Sequence, residues 1–229
     1  MSSIDPTAGI SGDTREILDA RARFLDLGHY QPIMDAVAAS IGDSPTLSVL
    51  DAGTGTGHYL ARVLSESHDR HGLALDASSP AVASAVARAG SPGLVADTWK
   101  ALPVRSGRAD VILCVFAPRN AGEFARILGA GGQLVVVTPS PDHLVELRAL
   151  GITIGMQDDK LEALSRSLEP VFERVDHSPV AFVMDIDAAS GAILAAMGPS
   201  GHHERSGAWT GGTITAAVDV TVWRPTGAS

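Results

Sequence analysis

The stretch VLDAGTGTGHYL, residues 49–60, sets an acid and three glycines between an apolar run and the start of a helical pattern. Gly53, Gly55 and Gly57 recur at every second position, so the backbone must turn sharply there and approach something that a Cβ would exclude. A strand that ends in such a loop and runs straight into a helix opens a βαβ unit, and the chain downstream keeps that rhythm. Short apolar runs near 47–52, 71–76, 93–96, 110–116 and 132–138 read as strands, and helical patterns near 58–67, 79–89 and 120–129 lie between them. Two more helices are predicted near 142–150 and 161–170. The tail then gives FERVDHSPVAFVMDI, a helical DAASGAILAAM and TITAAVDVTVWRP, with Pro199 to Gly212 as a loop. The sum is an α/β fold with a doubly wound, mostly parallel sheet of seven strands. Ahead of the first strand, Ile17, Leu18, Ala22, Phe24 and Leu25 recur at helical spacing up to Gly28, and a second helical stretch runs from Ile33 to the turn at Gly42 to Pro45. Residues 1–12 read as a flexible leader, 13–225 as one domain and 226–229 as a tail.

Composition removes several function classes. A net charge of −9 gives the surface no general basic face for phosphates, which counts against a nucleic-acid substrate without excluding one. Cys114 is the only cysteine, so the chain can build neither a disulfide framework nor a cysteine zinc site; no metal site is expected. No apolar run approaches the roughly 20 residues that span a bilayer, so the expectation is a cytoplasmic protein with no membrane partner.

The spacing D-x-G-x-G-x-G differs from the G-x-G-x-x-G of dinucleotide sites and lacks the Gly-Lys-Ser/Thr of a triphosphate loop, so phosphate is not its obvious ligand. It resembles motif I of class I S-adenosylmethionine (SAM) methyltransferases, in which the acid and the glycine loop surround the methionine part of the cofactor. The bland alternative is a tight strand-to-helix turn. Two further acids argue against it. Asp76 ends the second strand, where one carboxylate offers two acceptor oxygens to the vicinal hydroxyls of a ribose; as a helix N-cap it would compete with Ser78. Asp97 follows the third strand, where methyltransferases commonly place an acid that accepts from the adenine amino group. Three acids at successive strand ends, Asp51, Asp76 and Asp97, make SAM the expected cofactor.

The fourth strand ends in VFAPRN, without the Asn/Asp-Pro-Pro-aromatic motif of adenine and glutamine N-methyltransferases, which disfavours an exocyclic amine as acceptor. GDTREILDARARFLDLGHYQP, LDAGTGTGHYLARVL, LALDASSPAV, VFAPRN, TPSPDHLVEL and MGPSGHH together resemble the 23S ribosomal RNA guanine-N1 methyltransferase family, most of all its tylosin-resistance branch. The similarity runs from about Asp13 to Pro225. It implies that Tyr30, Gly57, His58 and His143 contact the cofactor, that the substrate is a hairpin loop of 23S rRNA, and that the activity confers macrolide resistance. Members normally begin with a cysteine-bearing zinc module that helps engage RNA; with one cysteine this chain carries none, so it is expected to be the catalytic core. Each implied contact has a structural alternative: Tyr30 as a core aromatic, His58 as a cap, His143 as an ordinary helix start.

Guanine N1 must lose its proton before or during attack on the methyl group, so a base, or a donor to the developing O6 anion, is needed. Asp142 or His143 after the fifth strand are candidate bases, and Arg119 is a candidate oxyanion partner; His202 and His203 in the late loop are further options. Arg21 and Arg23 are expected to meet phosphates or bases unless they are solvated helix charges. Trp99, Phe116 and Trp209 are available to stack on an unstacked base, although most aromatics of such a chain belong to its core. Two other outcomes stay open: a small-molecule methyltransferase on the same frame, and a non-catalytic SAM-binding protein. Whether the chain pairs as a homodimer also stays open.

Overall fold

The computed structural model describes residues 13–152, 160–196 and 208–227. The expected leader, His202 and His203 lie outside them. Helix α1 (Arg15–Asp26) starts where the Thr14 hydroxyl accepts the Ile17 N–H, and it buries Leu18, Ala20, Phe24 and Leu25. After a turn at Gly28, α2 (Gln31–Ile41) begins with Pro32 in its first turn and buries Ile33, Met34, Val37, Ala38 and Ile41. The alternation then follows: β1 (Leu47–Ala52), α3 (His58–Leu64), β2 (Arg70–Asp76), α4 (Ser79–Ala89), β3 (Gly93–Val95), β4 (Ala109–Val115), α5 (Ala121–Ile127) and β5 (Leu128–Pro139). The chain closes with α6 (Val145–Ala149), α7 (Lys160–Leu168), β6 (Phe172–Asp187), α8 (Ala188–Ala196) and β7 (Gly211–Pro225).

The seven strands form one sheet in the order β3-β2-β1-β4-β5-β7-β6. β1 to β5 pair in parallel, whereas β7 runs antiparallel to both β5 and β6, so the sheet is mostly parallel with a reversed edge. Side chains alternate across it with the strand period of two. On β4, Val111, Leu113 and Val115 pack on the face that holds Phe24, Ile33 and Leu60, while Ile112 and Cys114 pack on the face with Phe124, Ile127, Leu164 and Leu168. The strand order reverses between β1 and β4, and the carboxyl ends at that switch point are the usual ligand position in sheets of this kind.

Three expected boundaries shift for local reasons. The helix expected over 120–129 stops at Ile127, because Leu128 is extended and already pairs with Ala109. The helix expected over 142–150 starts only at Val145, because Leu144 takes a left-handed conformation at φ 57° that no helix continues through. Gly211 and Gly212, read as the end of a loop, begin β7.

Candidate cofactor and acceptor site

The carboxyl ends of β1, β2 and β3 bring Asp51, Asp76 and Asp97 to one edge. Asp51 is buried, and its carboxyl accepts the Thr54 hydroxyl at 2.7 Å. Burial first, and the neighbouring Asp76 after it, push Asp51 up to about 7, against the opposing pull of Thr54. Asp76 is half-buried and accepts the Gly55 N–H at 3.0 Å and the Ser78 N–H at 2.9 Å, one on each oxygen. Each carboxylate oxygen keeps a second acceptor position for a ligand hydroxyl. Ser78 caps α4 through its own hydroxyl, so Asp76 is not spent as the cap. Asp97 accepts the Trp99 N–H at 3.0 Å and pairs with Lys100 at 3.5 Å. The Ala96 N–H donates to the Asp76 carbonyl at 2.9 Å, which holds the second and third acids side by side.

The three glycines have different jobs. All have positive φ, at 82°, 53° and 76° for Gly53, Gly55 and Gly57. A Cβ on Gly57 would sit 2.6 Å from the Ala85 backbone on α4, and one on Gly53 would sit 2.4 Å from the Ala117 Cβ. These two let the loop pack against α4 and against the turn after β4. At Gly55 a Cβ would meet only Arg21 Nη1, at 3.3 Å. Arg21, expected to face phosphates or bases, therefore lies over the glycine loop, paired with Asp13.

Tyr59, which the sequence did not single out, has a buried hydroxyl with no hydrogen-bond partner among the described residues. It lies within electrostatic reach of Tyr30, Arg21 and Asp51. A buried carboxyl that holds its proton up to neutral pH and a buried, unsatisfied hydroxyl beside one glycine loop fit a polar, cationic ligand such as SAM. Asp51, Asp76, Asp97, Gly55 and Tyr59 are the residues that could hold it.

The other expected contacts divide. His58 is buried, and its ring is fully occupied: Nε2 faces Asp26 at 3.1 Å and Nδ1 faces the Thr56 hydroxyl at 2.8 Å. Burial lowers its basicity, so the neutral ring braces α1 against α3 and only its main chain is left to face a ligand. Tyr30 and His143 meet across 113 residues of sequence, Oη to Nε2 at 3.2 Å, both buried. His143 Nδ1 accepts the Ala217 N–H at 3.2 Å, which places the ring proton on Nε2 and the donated hydrogen bond on Tyr30. With its Nδ1 lone pair engaged, His143 is better arranged to orient than to remove a proton. Asp142 beside it is exposed, and Arg119 is half-buried in the turn after β4.

That turn is held by unusual means. Cys114 donates through Sγ to the carbonyls of Ala117 and Pro118, both at 3.4 Å, and Asn120 caps α5 while its amide donates to the carbonyls of Thr98 and Lys100. Phe116 stands 43% exposed, with its ring 6.1 Å from the His143 ring. Trp99 is more exposed still, at 70%, whereas Trp209 packs on Gly191 and donates to the Ile186 carbonyl at 3.0 Å. Among the described residues no group of three His, Cys, Asp or Glu side chains is placed to hold a metal, and no helix is long and apolar enough to cross a membrane.

Comparison with known proteins places the fold and the family. Residues 49–132 match the family described as Methyltransferase domain. Among solved structures, the YcgJ protein of Bacillus subtilis superposes with a TM-score of 0.59 at 14% identity, covering 87% of this chain and 100% of that one. The [4+2]-cyclase SpnF gives 0.57 at 19% identity over 84% and 80%. Such distant neighbours establish the fold alone. Closer relatives go further. A 23S rRNA (guanine(748)-N(1))-methyltransferase of Streptomyces fradiae is 43% identical over 201 residues, 85% of this chain and 71% of the relative. A Micromonospora griseorubida relative with the same guanine-N1 description is 38% identical over 243 residues, 93% of this chain and 81% of that protein. The chain belongs to the family of 23S rRNA guanine-N1 methyltransferases.

Proposed function

We propose that this protein methylates N1 of a guanine in a hairpin loop of 23S rRNA, with SAM as the methyl donor. The observation that carries this is the pairing of a three-acid, glycine-lined edge on β1 to β3 with an open acceptor edge after β4 and β5, in a chain of this family. SAM supplies an electrophilic methyl group when bound. Asp76 is placed for the ribose hydroxyls, Asp97 for the adenine side, and Asp51 with Tyr59 for the methionine side of the glycine loop. Ionised Asp51 complements a cation, so a positively charged cofactor draws its proton off.

On the acceptor side, Arg119 serves the negative charge that grows on guanine O6, and Asp142, exposed at the end of β5, takes the N1 proton directly or through water. Tyr30 and His143 hold the wall between the two halves in one orientation. Correct placement of N1 against the methyl carbon supplies much of the rate in such a transfer. Modification of a ribosomal loop sets the reaction in the cytoplasm and makes macrolide resistance the expected cellular outcome.

The test is methylation of a 23S rRNA transcript read as a primer-extension stop, because a methyl on N1 blocks base pairing. A stop at one guanine, dependent on SAM, is expected. Tight binding of S-adenosylhomocysteine with no stop on any ribosomal transcript would favour a small-molecule acceptor, a reading to which the net charge of −9 lends weight.

A further inference from the structure

Among the described residues only Phe116 and Leu144 take positive φ without being glycine; Leu144 follows His143 in the chain, and the Phe116 ring lies 6.1 Å from the His143 ring. For a bulky residue the left-handed region is costly and persists only where the surroundings over-determine it. Phe116 is over-determined. Its N–H donates to the Val137 carbonyl at 3.1 Å, and the next residue, Ala117, is wedged against Gly53 of the cofactor loop while its carbonyl accepts from Cys114. All of this strain holds an exposed aromatic residue, although burying a Phe side chain is favourable. A backbone held at a cost, presenting a side chain that itself gains nothing from exposure, indicates a surface kept for a ligand.

From this arrangement we infer that Phe116 is the stacking platform for the target guanine. The inference rests on the guanine-N1 reading above and adds a specific residue to it. The ring is flat, the residue is exposed, and the His143 imidazole lies 6.1 Å from the ring at an interplanar angle of 31°. His143 is itself locked by Ala217 and Tyr30, so the platform has a rigid backing. Its position is the required one. The Gly53–Ala117 contact ties the turn to the glycine loop, so a base lying on Phe116 is carried toward the cofactor side, with Arg119 three residues away along the same turn. Guanine N1 lies on the Watson–Crick edge and is inaccessible in a stacked, paired base, so the nucleotide must be splayed out and received on a flat apolar surface. Trp209 is occupied as core, and Trp99 stands on the turn after β3, beside the adenine-side acid.

Phe116→Gly tests this cleanly, because glycine adopts the same left-handed backbone without strain and removes only the ring. Stacking on an aromatic side chain contributes about 1–3 kcal/mol per base, so kcat/KM for a 23S rRNA transcript should fall roughly 5- to 150-fold, mainly through KM. Phe116→Trp should restore most of it. The affinity for S-adenosylhomocysteine should stay within about twofold, and the melting temperature should not fall. If the unaltered protein methylates the transcript and Phe116→Gly does so with unchanged kcat/KM, the platform assignment is wrong and the guanine-N1 reading stands. Loss of S-adenosylhomocysteine affinity in parallel with activity would assign the ring to the cofactor instead and overturn the inference equally. An unaltered protein that leaves every ribosomal transcript unmethylated removes the guanine-N1 reading and the platform with it.

Discussion

The two halves of the proposed site, at the carboxyl ends of the strands, are built by different means. The half proposed for the cofactor, at the ends of β1 to β3, is made of residue types at regular spacing: an acid at each strand end and glycines where backbone must meet backbone. The half proposed for the acceptor, after β4 and β5, is made of conformation: two left-handed non-glycine residues, a thiol that closes a turn, and a histidine tied to a tyrosine 113 positions away. One half can be written as a motif, whereas the other exists only once the chain has folded. A cofactor is the same molecule for many proteins, and its site is correspondingly generic; an acceptor is particular to each, and the surface that receives it is specified one strained residue at a time.

Substitutions sharpen that contrast, and the largest effect is expected in the cofactor half. Gly57→Ala adds a Cβ 2.6 Å from the Ala85 backbone at φ 76°, so both sterics and conformation oppose it. A loss of more than about 3 kcal/mol in urea denaturation is expected; a change below about 1 kcal/mol would show that α4 moves aside easily. Asp51→Asn should act in the opposite direction. Asp51 keeps its proton up to about pH 7 in the folded protein but releases it near 3.8 when unfolded, so between those values the unfolded chain binds fewer protons and stability declines as pH rises. Asparagine removes that decline while it can still accept the Thr54 hydroxyl. The variant should therefore exceed the parent by roughly 2–4 kcal/mol at pH 8, match it near pH 4, and bind S-adenosylhomocysteine less well. Equal stability at both pH values would mean that burial of this carboxyl costs the fold nothing.

Asp76→Ala removes the proposed ribose acceptor and leaves the Gly55 and Ser78 N–H groups to water. Calorimetry should register an affinity for S-adenosylhomocysteine weaker by about 10- to 100-fold, with RNA binding unaffected. Unchanged affinity would remove Asp76 from the site. The smallest effect belongs to the acceptor half: Tyr30→Phe deletes the oxygen that receives the His143 N–H, and about 1 kcal/mol of stability should go with it. KM for RNA should rise while the cofactor affinity holds. A shift of both constants together would mean that the two halves are not separable at this wall.

Much of this was legible in the residues. Five alternating apolar runs specified the parallel strands, and the acids at 51, 76 and 97 appear at the strand ends where their spacing put them. Ser78 takes the capping role left open for it. The remainder depends on long-range geometry. Leu128 reads as helix by its neighbours and becomes strand because Ala109 lies beside it. Nothing local marks Leu144 or Phe116 as left-handed. His58 has the residue type of a ligand contact, yet a pairing with Asp26, 32 positions earlier, consumes its ring. Arg21 reads as a solvated or RNA-facing charge until folding sets it over Gly55. Tyr59 carries no signal at all, since a tyrosine in the first turn of a helix is ordinary and only its buried hydroxyl, without a partner among the described residues, distinguishes it.

Cys114 gives the molecule a built-in timer. It is the only cysteine, it is fully buried at the end of β4, and burial pushes its thiol up to about 12, so alkylating reagents meet neither access nor thiolate while the turn is closed. Because its sulfur is bonded to the carbonyls that close the acceptor turn, the rate at which a thiol reagent modifies the protein counts the openings of that turn, with no second thiol to confuse the record. A ligand that settles on the acceptor side should slow that clock, and one that fills only the cofactor side should leave it running.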